Sequence, residues 1–139
     1  MNILFFMIPK ISVTYAESSF TLRQVSEKMM AHNLTAIPII DEEGRYVSVI
    51  SEGDLFRYIK QSASLNYSSA EETPISSIPR QREINAISYA ASMNDLIDLA
   101  VNQNFVPVVD DRGIFIGIVT RKAIIRYLKE ELRGKEEDQ

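Results

Sequence analysis

The sequence predicts an α+β protein made of two βαββα repeats, and three observations predict it. First, Ala36–Asp54 and Phe105–Ala123 are copies of one stretch: Pro38 aligns with Pro107, Asp41 with Asp110 and Gly44 with Gly113 at one constant offset, which also places Arg57 on Arg126 and Tyr58 on Tyr127. Second, the apolar positions agree as well as the identities, since Ile37, Ile39, Ile40, Val47, Val49 and Ile50 correspond to Val106, Val108, Val109, Ile116, Ile118 and Val119. Third, each copy is a β-branched run, an Asp-x-x-Gly turn, a second β-branched run and an apolar-periodic segment opened by Ser or Thr. That order reads as strand, turn, strand, helix, one supersecondary unit used twice.

Taken in order, residues 2–8 are an apolar segment stopped by Pro9, echoed by Pro74–Ile78 stopped by Pro79, so that Ile8-Pro9-Lys10 matches Ile78-Pro79-Arg80. Lys10–Tyr15 and Glu83–Ser88 mix β-branched and polar residues and are expected as the short first strand of each repeat. Thr21-x-x-Gln24 and Ser92-x-x-Asp95 are capping signals that open helices. Leu22, Val25, Met29 and Met30 form the apolar face of the first helix, and Met93, Leu96, Ile97 and Ala100 that of the second. Ile37–Ile40 and Val106–Val109 are expected as buried strands, with Gly44 and Gly113 at the left-handed position of the turns that follow. Asp54–Gln61 and Ala123–Leu132 close the repeats as helices. The boundaries are therefore 2–61 for the first repeat and 74–132 for the second, joined by a Ser-, Ala- and Glu-rich linker over 62–73 and followed by a charged, frayed tail over 133–139. Opposed sheets would bury apolar strands that neither repeat covers alone.

Composition narrows the function. Fifteen basic against nineteen acidic residues, a net charge of −4, argue against broad nucleic-acid binding, and the apolar run Ile3–Ile8 is too short to span a membrane and has no basic residue before it. A cytoplasmic protein is expected. With no cysteine, disulfides and thiolate metal sites are excluded, and the lone His32 cannot make a histidine-rich metal centre. The five glycines form neither a phosphate loop nor a strand-linked G-x-G-x-x-G, and no nucleophile stands beside an orienting base. No catalytic residue, metal or cofactor is therefore expected.

The two copied stretches resemble the paired CBS domains of the Bateman module. Each carries a small or apolar residue, Pro, two or three apolar residues, Asp, Gly, an apolar strand, and Ser or Thr three residues before the Asp position, and the likeness covers roughly residues 2–132. The resemblance implies a pseudo-two-fold disc with two clefts, and a stand-alone, non-catalytic sensor that binds an adenine nucleotide (AMP, ADP or ATP) and signals to an effector protein. In the family the hydroxyl of Ser/Thr-x-x-Asp approaches phosphate and the Asp holds the ribose hydroxyls. Here the first copy is complete as Ser51-Glu-Gly-Asp54. On the residues alone the same pair is a helix capping box. The second copy, Thr120-Arg121-Lys122-Ala123, has alanine at the ribose position and two cations at a helix start, where the dipole disfavours them unless an anion binds or water solvates them.

The resemblance further implies that Asp54 works with Ile87, Asn104, Phe105, Val106 and Pro107, and that Thr120, Arg121 and Lys122 work with Lys10, Ser12, Thr35, Ala36 and Ile37. The second set also resembles the cyclic-di-AMP-binding CBS proteins of Gram-positive bacteria, whose corresponding cleft is basic. A structural dimerisation module with degenerate clefts is the remaining reading, supported by the missing Asp at position 123. Homodimerisation through the closing helices is expected, with Phe56, Ile59, Ile124, Ile125 and Leu128 as its apolar surface.

Overall fold

The computed structural model describes residues 2–62 and 67–137. Two compact units emerge, and the chain does not divide between them where the repeats do: one is continuous, Thr14–Ile84, and the other is split, Met1–Val13 with Asn85–Gln139. Each is an α+β body with a small sheet and helices, as the repeats predict.

The split unit holds a four-stranded sheet, ordered β1 (Ile8–Pro9), β7 (Phe115–Thr120), β6 (Phe105–Val109), β5 (Ile87–Ser88), with helices α4 (Met93–Ala100) and α5 (Arg121–Glu137). Strand β6 is antiparallel to β7 and parallel to β5. The continuous unit holds β2 (Ala16–Glu17), β3 (Ala36–Ile40) and β4 (Tyr46–Ser51) in that order, with α1 (Leu22–Ala31), α2 (Glu52–Gln61) and α3 (Tyr67–Glu72). Its β2 pairs with β3 only from Ile39 onward, so Pro38, which has no N–H to give, lies outside that ladder.

The local predictions have local causes. Gly44 and Gly113 take φ of 85° and 80°. In each turn the aspartate closes the loop: Asp41 Oδ1 accepts from the N–H groups of Glu43 and Arg45, and Asp110 Oδ1 from those of Arg112 and Ile114. Thr21 makes a reciprocal capping box with Gln24, and Ser92 Oγ accepts from the Asp95 N–H. Buried Ala16, Leu22, Val25, Met29, Ile37, Ile39, Ile50, Leu55, Ile75 and Ile78 form the core of the continuous unit, and Ile3, Ile87, Leu96, Ala100, Val106, Val108, Val119 and Ile124 that of the split unit.

Several expectations are corrected. The first strands are not Lys10–Tyr15 and Glu83–Ser88. Lys10–Ser12 winds into a 3-10 turn, the strand of the first repeat falls just beyond the expected range at Ala16–Glu17, and that of the second shrinks to Ile87–Ser88, each with a single buried residue, Ala16 or Ile87, on a two-residue ladder. Met30 is 81% exposed and does not share the buried face of α1, and Ile124 is buried. Residues 67–72 of the linker are helical, and Glu71 forms an ion pair with Arg23; 63–66 lie outside the described residues. Helix α5 runs to Glu137, through the expected frayed tail. Its Lys, Arg and Glu residues are good helix formers, and one interior glycine, Gly134, costs only about 1 kcal/mol relative to alanine.

The two units also differ at one matched position. Pro9 faces Gly117 across the β1–β7 pair, and a Cβ there would lie 2.3 Å from the Ile8 carbonyl oxygen. The matching residue of β4 is Ser48, whose Oγ is buried without a partner among the described residues. The segment Ile78–Pro79, which matches Ile8–Pro9, forms no ladder with β4. The added strand pairs where the residue is Gly117 and is missing where it is Ser48.

Candidate functional site

The start of α2 carries the most developed polar cluster. Strand β4 delivers Ser51 in an extended conformation to the N-cap, where its Oγ accepts from the Asp54 N–H at 3.1 Å and its own N–H donates to Asp54 Oδ2 at 3.0 Å. The capping box is complete. Asp54 is nonetheless only 4% exposed, and the reason lies far along the chain: its Oδ1 also accepts the Gln81 N–H at 2.9 Å and faces Arg57 Nη1 at 3.5 Å. Arg57 Nη2 in turn donates to Gln81 Oε1.

The segment Ile78–Ile84 thus crosses the N-terminus of α2. Arg80 folds back so that its Nη1 donates to the carbonyls of Ile75 and Ile78, leaving Nε buried without a partner among the described residues. Burial lowers the Arg80 pKa below the ordinary guanidinium value, and the charges of Asp54 and Tyr46 oppose that shift. At the far end the Tyr46 hydroxyl donates to the Ile84 carbonyl. Burial, and then the charge of Glu83, push that hydroxyl well above the ordinary phenol value, while Arg80 acts in the opposite direction.

The matching place in the split unit is built differently. Thr120 Oγ1 accepts from the Ala123 N–H at 3.2 Å, and the Arg121 N–H donates to the Asn104 carbonyl at 2.8 Å, as the Glu52 N–H does to that of Thr35. The Arg121 side chain is committed elsewhere: its Nε donates to the Ala100 carbonyl at 2.8 Å and its Nη2 to that of Val101 at 3.4 Å. A cation there satisfies orphan carbonyls at the negative end of α4, which accounts for a basic residue at a helix start without any ligand. Lys122 is exposed.

The structure sorts the sequence-predicted residues by unit. Lys10 and Ser12 lie in the 3-10 turn packed on β7, in the same unit as Thr120, Arg121 and Lys122, whereas Thr35, Ala36 and Ile37 belong to the continuous unit. Ser51 and Asp54 are in the continuous unit; Ile87, Asn104, Phe105, Val106 and Pro107 are in the split one. Ile37 and Val106 are fully buried in the cores of their units, main chain included. Sequence reasoning missed Arg57, Gln81 and Tyr46 as neighbours of this cluster. For Arg57 a signal existed, its spacing of one turn from Asp54. For Arg80 the match with Lys10 was visible, but not its fold-back.

Among the described residues no group of three or more His, Cys, Asp or Glu side chains could hold a metal ion, and no helix is long and apolar enough to cross a membrane.

Comparison with known proteins identifies the family. The chain is 28% identical over 111 residues to the L-aspartate semialdehyde sulfurtransferase of Methanocaldococcus jannaschii, a match that covers 80% of this chain but only 20% of that protein. Among solved structures it is similar to CbpB in complex with c-di-AMP, with a TM-score of 0.86 and 24% identity over 100% of this chain and 91% of that one. It is also similar to CBSX2 in complex with AMP, with a TM-score of 0.73 and 21% identity over 93% and 96% of the two chains. The CBS domain family matches residues 6–61 and 75–130, one domain for each sequence repeat. The chain therefore belongs to the CBS domain family, as a tandem pair of CBS domains.

Proposed function

We propose that the protein is a non-catalytic regulatory sensor that binds an adenine nucleotide at the start of α2. The observation that carries this reading is the Ser51–Asp54 pair with Arg57 and Arg80 around it. A buried carboxylate can accept from two vicinal ribose hydroxyls, while a capped helix start with adjacent guanidinium groups suits phosphate. The AMP in the CBSX2 structure supports the ligand class. Signalling to an effector protein and a cytoplasmic location complete the reading.

A second reading, a cyclic-di-AMP receptor, is favoured by one observation: Ala123 stands at the ribose position beside exposed Lys122, with Lys10 and Ser12 in the same unit. The CbpB complex supports it. Calorimetric titration of AMP and cyclic-di-AMP separates the two. Asp54→Ala should cost about 1.5–3 kcal/mol of AMP affinity, the worth of charged hydrogen bonds. An unchanged AMP affinity in a folded Asp54→Ala protein would reduce Asp54 to a helix cap. Tight cyclic-di-AMP binding that is lost in Lys122→Ala, with none for AMP, would favour the second reading. Lys122 is the better probe than Arg121, whose removal also uncaps α4.

We further propose a homodimer. Phe56 and Ile59 on α2 and Ile125 and Leu128 on α5 occupy matched positions and are all exposed, Phe56 at 67% and Ile125 at 55%. Apolar side chains repeated at one helical spacing in both repeats mark an association surface. Light scattering at tens of micromolar, an estimated range for modest interfaces, should give twice the chain mass; a monomer there would reject the dimer.

A further inference from the structure

Gln81 touches the candidate site in two chemically distinct ways. Its main-chain N–H donates to Asp54 Oδ1 at 2.9 Å, and its side-chain carbonyl accepts from Arg57 Nη2. One residue therefore offers the carboxylate a donor and the guanidinium an acceptor. A phosphorylated ribose offers the same two groups in the same sense, hydroxyl donors for the carboxylate and phosphate oxygens for the guanidinium. From this we infer that Gln81 is an internal stand-in for the ligand, and that Arg57 is the residue that takes the nucleotide's phosphate once Gln81 leaves. The inference rests on the nucleotide-sensor reading and adds to it a phosphate partner and a built-in competitor.

The surroundings suit a displaceable residue. Gln81, Arg82 and Glu83 are exposed and in neither helix nor strand, so moving them uncovers no core. The segment is held on either side of Gln81 by other means, Arg80 on the Ile75 and Ile78 carbonyls and Ile84 on the Tyr46 hydroxyl. Release can stay local to a few residues, the low-energy kind of opening. Arg57 is positioned for the role by its place one turn beyond Asp54 on α2, and its side chain is still 32% exposed.

The test is calorimetry with AMP and adenosine, which differ only in the phosphate. Arg57→Gln should weaken AMP about tenfold or more, the worth of a charge-assisted contact, and leave adenosine within about twofold. Gln81→Ala keeps the N–H but removes the carbonyl, so the residue leaves at lower cost and both AMP and adenosine should tighten about threefold to tenfold. Gln81→Pro removes the N–H as well and should tighten both ligands. If Arg57→Gln weakens both ligands equally, or Gln81→Ala tightens neither ligand, the stand-in is wrong although the sensor reading survives. If neither wild type nor Gln81→Ala binds either ligand, the sensor reading itself fails and takes this inference with it. Should Gln81→Pro misfold by circular dichroism, the Gln81→Ala affinities decide.

Discussion

Gly117→Ala is expected to release the N-terminal strand and to cost about 3–4 kcal/mol of stability, the combined worth of one fully buried aliphatic side chain and one aromatic pair. The new Cβ would sit 2.3 Å from the Ile8 carbonyl oxygen and 2.8 Å from Met7 Cγ and Sδ. The Met7 side chain can rotate away, but the carbonyl belongs to β1 and can move only if β1 moves. Strand β1 is two residues long, with Ile8 facing Ile118 and Pro9 facing Gly117, so it has no further pairs to hold it in place. What leaves with it is larger than the strand. Ile3 is fully buried in the core of the split unit, and the Phe6 ring packs edge-on against Tyr127 at 5.1 Å. Chemical denaturation measures the cost. A loss under about 0.5 kcal/mol, the ordinary range for a surface substitution, would show that β1 tolerates the displacement.

Asp54→Asn should cost about 2–3 kcal/mol, with little change in shape. The carboxylate accepts from two main-chain N–H groups and faces one guanidinium. An amide offers one oxygen for these three donors and turns its own NH2 toward a donor, so a buried N–H is left unsatisfied. Loss of the negative charge also strands Arg57 and the half-buried Arg80, although the partial exposure of Arg57 moderates that part. Asp95→Asn is the internal control. Asp95 follows Ser92 at the same spacing as Asp54 follows Ser51, yet its side chain is exposed and, among the described residues, no distant segment hydrogen-bonds to it. Its replacement should cost under about 0.5 kcal/mol, as surface changes do. Equal losses at the two positions, read from urea midpoints, would show that the long-range hydrogen bond of Asp54 contributes nothing.

That contrast also marks what the sequence could reveal. Ser51-x-x-Asp54 and Ser92-x-x-Asp95 are the same word, and their local meaning, a helix start, is legible in both because a cap is made by residues three apart. The turns at Gly44 and Gly113 are legible for the same reason. Burial of one aspartate and not the other depends on Gln81, far along the chain, and no periodicity encodes that meeting. Arg121 is a similar case: its position at a helix start suggests an anion, while its guanidinium caps α4, whose last residue is Ala100. The core strands Ile37–Ile40 and Val106–Val109 were visible as β-branched runs. Met30 was misassigned because helical spacing alone does not say where a buried face ends; Met29 is in the core and Met30 is in water.

The chain leaves the split unit after Val13 and returns to it at Asn85. A molecule cut within the connecting segment would therefore carry a leader whose Ile3 has no sheet to join, while its own core would lack Ile75 and Ile78. A gene encoding one such repeat could give a folded product only if two copies lent each other their leaders, an exchange of identical arms. Folding would then depend on concentration. Duplication and fusion turn that bimolecular exchange into an event within one chain, and the cost is that neither half can be trimmed or transplanted without its partner's arm.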